Sequence, residues 1–382
     1  MGLFSQAKTG SSDNDNGSYR QLLKNIPFYI KAPMVLIGLY LTFYIAYLLQ
    51  DVLIPFCFAG LIAILLNPLC NYLKSKGVPK IVAILISLVS AILLLAAVLL
   101  FLSSQIAQFS EMIPQLEKKF TSIMGELQTW LTSRFGISEE RQINMVKEAV
   151  SGGKAYIGQT LNTVFGVVSF IVLIPLYVFL LLYYKPLILN FIFEVFEDNN
   201  EKQVSEILQE TKGAVQSYIV GLVIETGIVA VLNSGALLIL GVESAILLGV
   251  IGAILNLIPY IGGLVAIGLP VLMSLITGDD GLTTPLLIIG AYTLIQFIDN
   301  NIIVPRIVSS KVSVNALVSI LIVLLGGNFW GVSGMFLSIP FVAVLKIIFD
   351  RIEELRPWGK LLGDKMDAEP KTQLLSRHKQ KE

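Results

Sequence analysis

Residues Ile81 to Leu102 run for twenty-two positions without one charged side chain. A bilayer core about 30 Å thick takes about 20 apolar residues in one helix, so a run of this length reads as a membrane span. The run is not isolated. Pro33 to Leu49, Val52 to Leu73 and Phe165 to Tyr184 share its character, with Asp51 at the tight join of the first two, and Ile219 to Leu240 and Thr284 to Val304 do so apart from one carboxylate each. Charged residues make up 14% of the chain, against about 25% in soluble domains. The sequence therefore predicts an all-α fold, a polytopic helical membrane protein whose first partner is the lipid bilayer. Formal net charge is zero, which gives no reason to expect nucleic acid as a partner.

Lysine and arginine set the expected orientation. Arg20, Lys24 and Lys31 precede the first span, Lys74, Lys76 and Lys80 separate the second from the third, and Lys185 follows the fourth. Arg351, Arg356 and Lys360 follow the last apolar stretch. Placing all of them inside satisfies the positive-inside rule and puts both termini in the cytoplasm. Residues 1–32 read as a disordered cytoplasmic leader and not as a cleavable signal peptide. Residues 33–102 hold three spans, 103–162 an extracytoplasmic amphipathic helical segment, 163–349 the transport core, and 350–382 a charged cytoplasmic tail. Cys57 and Cys70 have no metal-ligand spacing and read as buried thiols.

In the outer segment Ile106, Phe109, Ile113, Leu116, Phe120, Ile123, Leu127 and Trp130 recur at steps of three and four. That is a heptad seam, with Pro114 expected to kink or restart its helix. The seam fits pairing with a second subunit, a place on the membrane surface, or packing on its own following helix, Gln142 to Ile157. Glu197 to Tyr218 is acidic and amphipathic, and reads as a cytoplasmic helix leading into the fifth span.

Two apolar regions carry helix-breaking residues. Leu255 to Val271 contains Pro259, Gly262, Gly263, Gly268 and Pro270, and an unbroken helix through Asn256 to Gly263 is not expected. The second region, Val312 to Phe349, is expected to break at Gly326, Gly327, Asn328 and Gly331, and again at Pro340. Opened backbone inside hydrocarbon is tolerated only where protein or a water-filled cavity satisfies it, the setting in which transporters bind substrates and ions. A tight turn between two spans near the surface is the other reading. The regions resemble each other at one constant offset, which sets Tyr260 on Trp330, Gly268 on Ser338 and Pro270 on Pro340. Each follows a single span, the plan of an inverted repeat.

Polar groups inside the spans supply the candidate site. Glu225 lies within IVGLVIETGIVAVL, where a charged carboxylate costs about 3 kcal/mol on insertion scales and should face the protein interior. Asn233 lies two turns further along. The sixth span carries Gln296, Asp299, Asn300 and Asn301 ahead of Pro305 and Arg306. On an α-helix Gln296, Asp299 and Asn300 share a face and Asn301 is turned away from it. Two carboxylates on different spans, with amides and opened backbone nearby, suit a proton or a sodium ion passed from one side to the other. For Asp299 the alternative is a structural pair with Arg306. Glu225 and Asp299 are thus the candidate ion or proton coupling residues. Asn256, Pro259, Gly262, Gly263, Gln296, Asn300 and Arg306 are the candidate substrate lining.

No enzyme is expected. Gly331-Val332-Ser333-Gly334 has the GxSG form of intramembrane serine proteases, but the only histidine is His378 in the tail, so no imidazole serves Ser333. Asp279-Asp280-Gly281 reads as a loop turn. No phosphate-binding GxxxxGKS/T is present, no cofactor is implied, and transport would draw on gradients.

The assembled motifs resemble the autoinducer-2 exporter family of bacterial permeases. The parts that carry the likeness are PLYVFLLLYY (residues 175–184), LIPYIGG (257–263) with the later Pro270, IQFIDNNIIVPRIV (295–308), and Gly331-Val332-Ser333-Gly334 leading to Ser338-Ile339-Pro340. The chain departs from the family at Val314-Asn315-Ala316, where many members carry a His-Pro pair. The resemblance implies a multi-pass protein of the bacterial inner membrane, a homo-oligomer working as a secondary carrier. It would export a small solute such as autoinducer-2, or exchange a monovalent cation for protons. A passive oligomeric channel and a non-transporting membrane scaffold are the other classes the sequence allows.

Overall fold

The computed structural model describes residues 27–135, 163–195, 201–258, 262–278, 281–308 and 314–364. Residues 1–26 of the expected leader, the helix Gln142 to Ile157, Pro259 and the tail after Asp364 lie outside them, while the last residues assigned to the leader, from Phe28, are helical. The described helices are α1 (Phe28–Leu48), α2 (Gln50–Ser75), α3 (Lys80–Phe135), α4 (Thr163–Val195), α5 (Glu201–Ile239), α6 (Ala245–Asn256), α7 (Gly262–Thr277) and α8 (Thr283–Ile298). A π-helical turn (Asp299–Ile303) leads to α9 (Val304–Ile307), and then come α10 (Ala316–Arg351) and α11 (Arg356–Leu362). Two compact units divide the chain at residues 53 and 54. The first contains α1, and everything below concerns the second.

Among the described residues six helices are long and apolar enough to cross a bilayer, and no strand is formed. The all-α membrane fold is therefore as the sequence predicts. Small side chains let α2, α3 and α4 approach closely. Ala59, Ala63, Leu66 and Cys70 of α2 pack on Ala83 and Ile84 of α3 and on Val178 and Leu182 of α4. Packing of small residues drives association between helices that hydrocarbon solvates equally well. Cys70 is buried, whereas Cys57 is half-buried, and neither forms a disulfide.

Proline breaks fewer helices than its chemistry in water suggests. Helix α3 runs through Pro114 without a restart. Pro55 and Pro68 lie within α2, Pro175 and Pro186 within α4, and Pro270 within α7. Inside a membrane, neighbouring helices and side chains satisfy the carbonyl that proline frees. The amphipathic Glu197 to Tyr218 stretch, from Glu201 onward, is not a separate helix either: it is continuous with the fifth span as α5.

Both expected breaks form, and each closes a helical hairpin. A straight helix would hold Gly252 and Ala266 about 21 Å apart. Instead a methyl group added at Gly252 would stand 3.4 Å from the Ala266 side chain, so α7 folds back along α6. In α10 the break is narrower than expected. It sits at Trp330 (φ −133°, ψ 24°) and Gly331 (φ 61°, ψ −144°), while Gly326, Gly327 and Pro340 stay helical. Residues 322 and 338 would be about 24 Å apart on a straight rod, yet the Ser338 hydroxyl donates to the Ile322 carbonyl at 3.0 Å. Residues 316–329 and 332–351 are thus the two arms of a hairpin, pressed together where a Cβ on Gly334 would overlap the Gly326 carbonyl.

Candidate functional site

Helix α5 presents Tyr218, Leu222, Glu225, Val229 and Asn233 at steps of four, three, four and four, one continuous helical stripe. Tyr218, Glu225 and Asn233 on that stripe are all buried. Across from it α8 brings Tyr292 and Gln296, and the π-turn brings Asp299, which is only 1% exposed. Helix α6 ends between them at Asn256, the last residue before the first break.

Asn256 joins the two carboxylates. Its amide Nδ2 donates to Asp299 Oδ2 at 3.1 Å and to Glu225 Oε1 at 3.4 Å. Only the nitrogen of an amide can donate to a carboxylate, so these two partners fix which way the side chain faces. Residues separated by 31 and 43 positions meet at this one nitrogen. Glu225 was expected from sequence to face the protein interior, and it does; Asp299, for which a pair with Arg306 was the alternative, is buried as well. Arg306 is not their counter-charge: it is exposed, and neither carboxylate forms an ion pair with it among the described residues.

The bridge opens onto a cavity of ≈ 850 Å³. Its walls include Tyr218, Leu222 and Glu225 from α5, Asn256 and Leu257 at the break, and Gly263 from α7. Gln296, Asp299, Asn300 and Asn301 line it from the far side, with Ser319 and Ile339 from the two arms of α10. Of the residues read from sequence as lining, Asn256, Gly263, Gln296 and Asn300 therefore border it. Arg306 and Gly262 are not among its walls, and Pro259 lies outside the described residues.

The two glycines act through space and not through turn geometry. A Cβ on Gly262 would overlap the Leu255 carbonyl, and one on Gly263 would stand 2.7 Å from Gln296 Oε1. Glycine at 262 lets α7 start against the end of α6, and glycine at 263 leaves room for the Gln296 amide. Among the described residues flanking the break, the Leu257, Ile258 and Gly262 amides donate to Ile254, Leu255 and Ile258 carbonyls at 3.1, 2.9 and 2.9 Å.

Sequence reasoning turned Asn301 away from the site, but it lines the cavity. The cause is the π-turn over Asp299–Ile303, which adds a residue to one turn and widens the face that a regular helix would present. Tyr218 and Tyr292 were also missed. Their signal was spacing: Tyr218 lies seven residues before Glu225, and Tyr292 seven before Asp299, two helical turns on the same face in each case.

The chain is similar in sequence to several bacterial proteins named for transport. AI-2 transport protein TqsA of Escherichia coli (strain K12) is 27% identical over 321 residues, covering 82% of this chain and 90% of that protein. YhhT of the same organism is 25% identical, with 85% and 90% covered, and YueF of Bacillus subtilis (strain 168) is 23% identical, with 79% and 84% covered. The last two carry only provisional transport-protein names. Residues 35–354 match the family described as AI-2E family transporter, nearly the whole described length including both hairpins and every residue of the carboxylate bridge. The chain therefore belongs to the AI-2E transporter family, as a multi-pass membrane protein.

Proposed function

We propose that this chain is a secondary transporter that exports a small polar solute of the autoinducer-2 kind, coupled to proton movement through Glu225 and Asp299. The observation that carries the reading is the bridge: one amide shared by two carboxylates from two membrane helices, on the wall of a solute-sized cavity. Two like charges sharing a single neutral donor repel one another, and a proton or monovalent cation between them relieves the repulsion. Occupancy of the pair thus alters the forces on α5, α6 and the π-turn together. A cavity of ≈ 850 Å³ lies within the range of small-molecule sites, about 300–1,000 Å³. Its amide groups suit hydroxyl-rich solutes, and TqsA is named as an AI-2 transport protein.

The two hairpins are the parts we assign to alternating access, as halves of an inverted repeat in a homo-oligomer of the bacterial inner membrane with both termini cytoplasmic. A second reading, exchange of a monovalent cation for protons, is favoured by the lack of any ion pair to either carboxylate among the described residues.

The test is efflux from proteoliposomes under an imposed pH gradient, with autoinducer-2, sodium and lithium screened in turn. Glu225→Gln and Asp299→Asn should each remove gradient-driven flux while the folded protein is still recovered. Wild-type rates in both variants would exclude coupling at this pair, and flux without saturation or gradient dependence would indicate a channel.

A further inference from the structure

Beside the large cavity, sharing Asn256, Gln296 and Asp299 with it as walls, lies a second and much smaller chamber. Its volume is ≈ 10 Å³, about one water-sized sphere. Three oxygens at its walls have no hydrogen-bond partner: Asn233 Oδ1 from α5, Tyr292 Oη from α8 and Asp299 Oδ1 from the π-turn. The three residues are 3%, 4% and 1% exposed, so no solvent serves these atoms from outside. Buried polar atoms are nearly always paired, and three oxygens without a protein partner around one small void are placed to hold a single ligand together.

We propose that this chamber is a binding site for one dehydrated monovalent cation of sodium or lithium size, held by Asn233 Oδ1, Tyr292 Oη and Asp299 Oδ1.

The donor set is all oxygen, the ligand type that hard cations take. One of the three is a carboxylate oxygen, so a single positive charge makes the chamber neutral. A water molecule would satisfy the hydrogen bonds but leave the buried carboxylate without a counter-charge, which is expensive away from solvent. Asn256 helps to select the ligand: its Nδ2 engages Asp299 Oδ2 and leaves Oδ1 to the chamber. Space is set partly by Gly252, where an added methyl would stand 3.4 Å from Asn233 Nδ2 and 3.7 Å from the Tyr292 hydroxyl.

Asp299 belongs to both compartments, one oxygen facing the Asn256 bridge and the other facing the chamber. The inference deepens the coupling role proposed for Asp299 by giving the ion a place separate from the solute. Cation and solute then bind in separate compartments that share Asn256, Gln296 and Asp299 as walls, and need not compete for one position.

The test is equilibrium binding of radioactive sodium to the purified full chain, with no gradient and no solute. Saturable binding displaced by lithium but not by potassium is expected. Asn233→Ala and Tyr292→Phe should each weaken it about tenfold or more, since even outer-shell partners of a bound metal are worth about 10–100-fold in affinity. Tyr292→Phe keeps the ring and is the deciding variant if Asn233→Ala does not fold. Arg351→Gln, far from the chamber, should leave binding unchanged. No saturable sodium binding by the parent protein, or equal affinity in both variants, would overturn the proposal and leave the chamber as a water site only. Because binding is read without transport, sodium binding that persists in Glu225→Gln together with wild-type efflux in that variant would reject the coupling reading and not the chamber, whereas undiminished sodium binding in Asp299→Asn would overturn the chamber.

Discussion

At the residue scale Asn256 is the most exposed to experiment, because it serves two partners with one nitrogen. Replacing it by alanine leaves both carboxylates without that donor, and stranding a buried polar partner costs about 1–3 kcal/mol. Asn256→Ala should therefore lower the thermal unfolding midpoint in detergent, and Asn256→Asp should lower it further at neutral pH by adding a third negative charge. Acidifying the buffer should recover part of the Asn256→Asp loss, since protonation of one acid removes a repulsion, and should do less for the alanine variant. A midpoint equal to that of the parent in both variants would show that the bridge is not formed in solution. Much of this site was legible in the sequence. Glu225 and Asp299 stand out because ionisable groups are costly within an apolar span. Asn233 and Tyr292 were less visible, since a lone amide or phenol in an apolar helix fits a packed interior equally well. Only the fold, by setting their free oxygens around one void, separates the two possibilities.

At the scale of elements, breaks were legible and their exact seats were not. Gly326, Gly327, Asn328, Gly331 and Pro340 were all candidates, yet the chain turns at Trp330 and Gly331 alone. Gly331 has the positive φ that favours glycine, whereas Gly326 and Gly334 are glycines because the two arms touch there. The two kinds should fail differently. Alanine at 331 meets no neighbour within 4 Å, and its cost is backbone strain of about 1–3 kcal/mol. Alanine at 334 has acceptable dihedrals but drives a methyl into the Gly326 carbonyl, so the arms must part. Gly331→Ala should thus lower stability and keep the Ser338 to Ile322 contact, while Gly334→Ala should lose it. Paired spin labels or a thiol crosslink across the arms would read the difference, and equal separation in the two variants would contradict this account. The π-turn has no comparable sequence signature: it comes from how α8 continues into α9, and DNNII would fit an ordinary helix as well.

At the scale of the whole molecule, α5 links the site to one end of the core. Its 39 residues make about 58 Å of helix, well beyond the roughly 30 Å of a bilayer core. Glu225 sits in its apolar part, and the projecting part carries Glu206 and Glu210. Both of these acids hold Arg351 at the end of α10, at 2.6 and 2.9 Å, and the Gln203 amide adds a hydrogen bond to the Arg351 carbonyl. Asn315, at the start of α10, caps that helix through Val318 N and donates to the Leu361 carbonyl at 2.7 Å, so α11 is fastened to the same region. Helix α5 and the α10 hairpin are therefore joined twice, by cavity walls inside the core and by the Arg351 cluster beyond it. The cluster is too exposed to matter much for folding, because paired surface charges are well solvated when apart. Its consequence is mechanical: if the hairpin moves against α5 during transport, the Arg351 contacts must break in each cycle. With Cys57 and Cys70 replaced by serine and alanine, Glu206→Cys and Arg351→Cys joined by a reducible bifunctional thiol reagent should stop flux, and reduction should restore it. Uninterrupted flux with the linkage complete would show that α5 and the hairpin travel as one body, and the moving boundary would then have to lie between that body and α2 to α4.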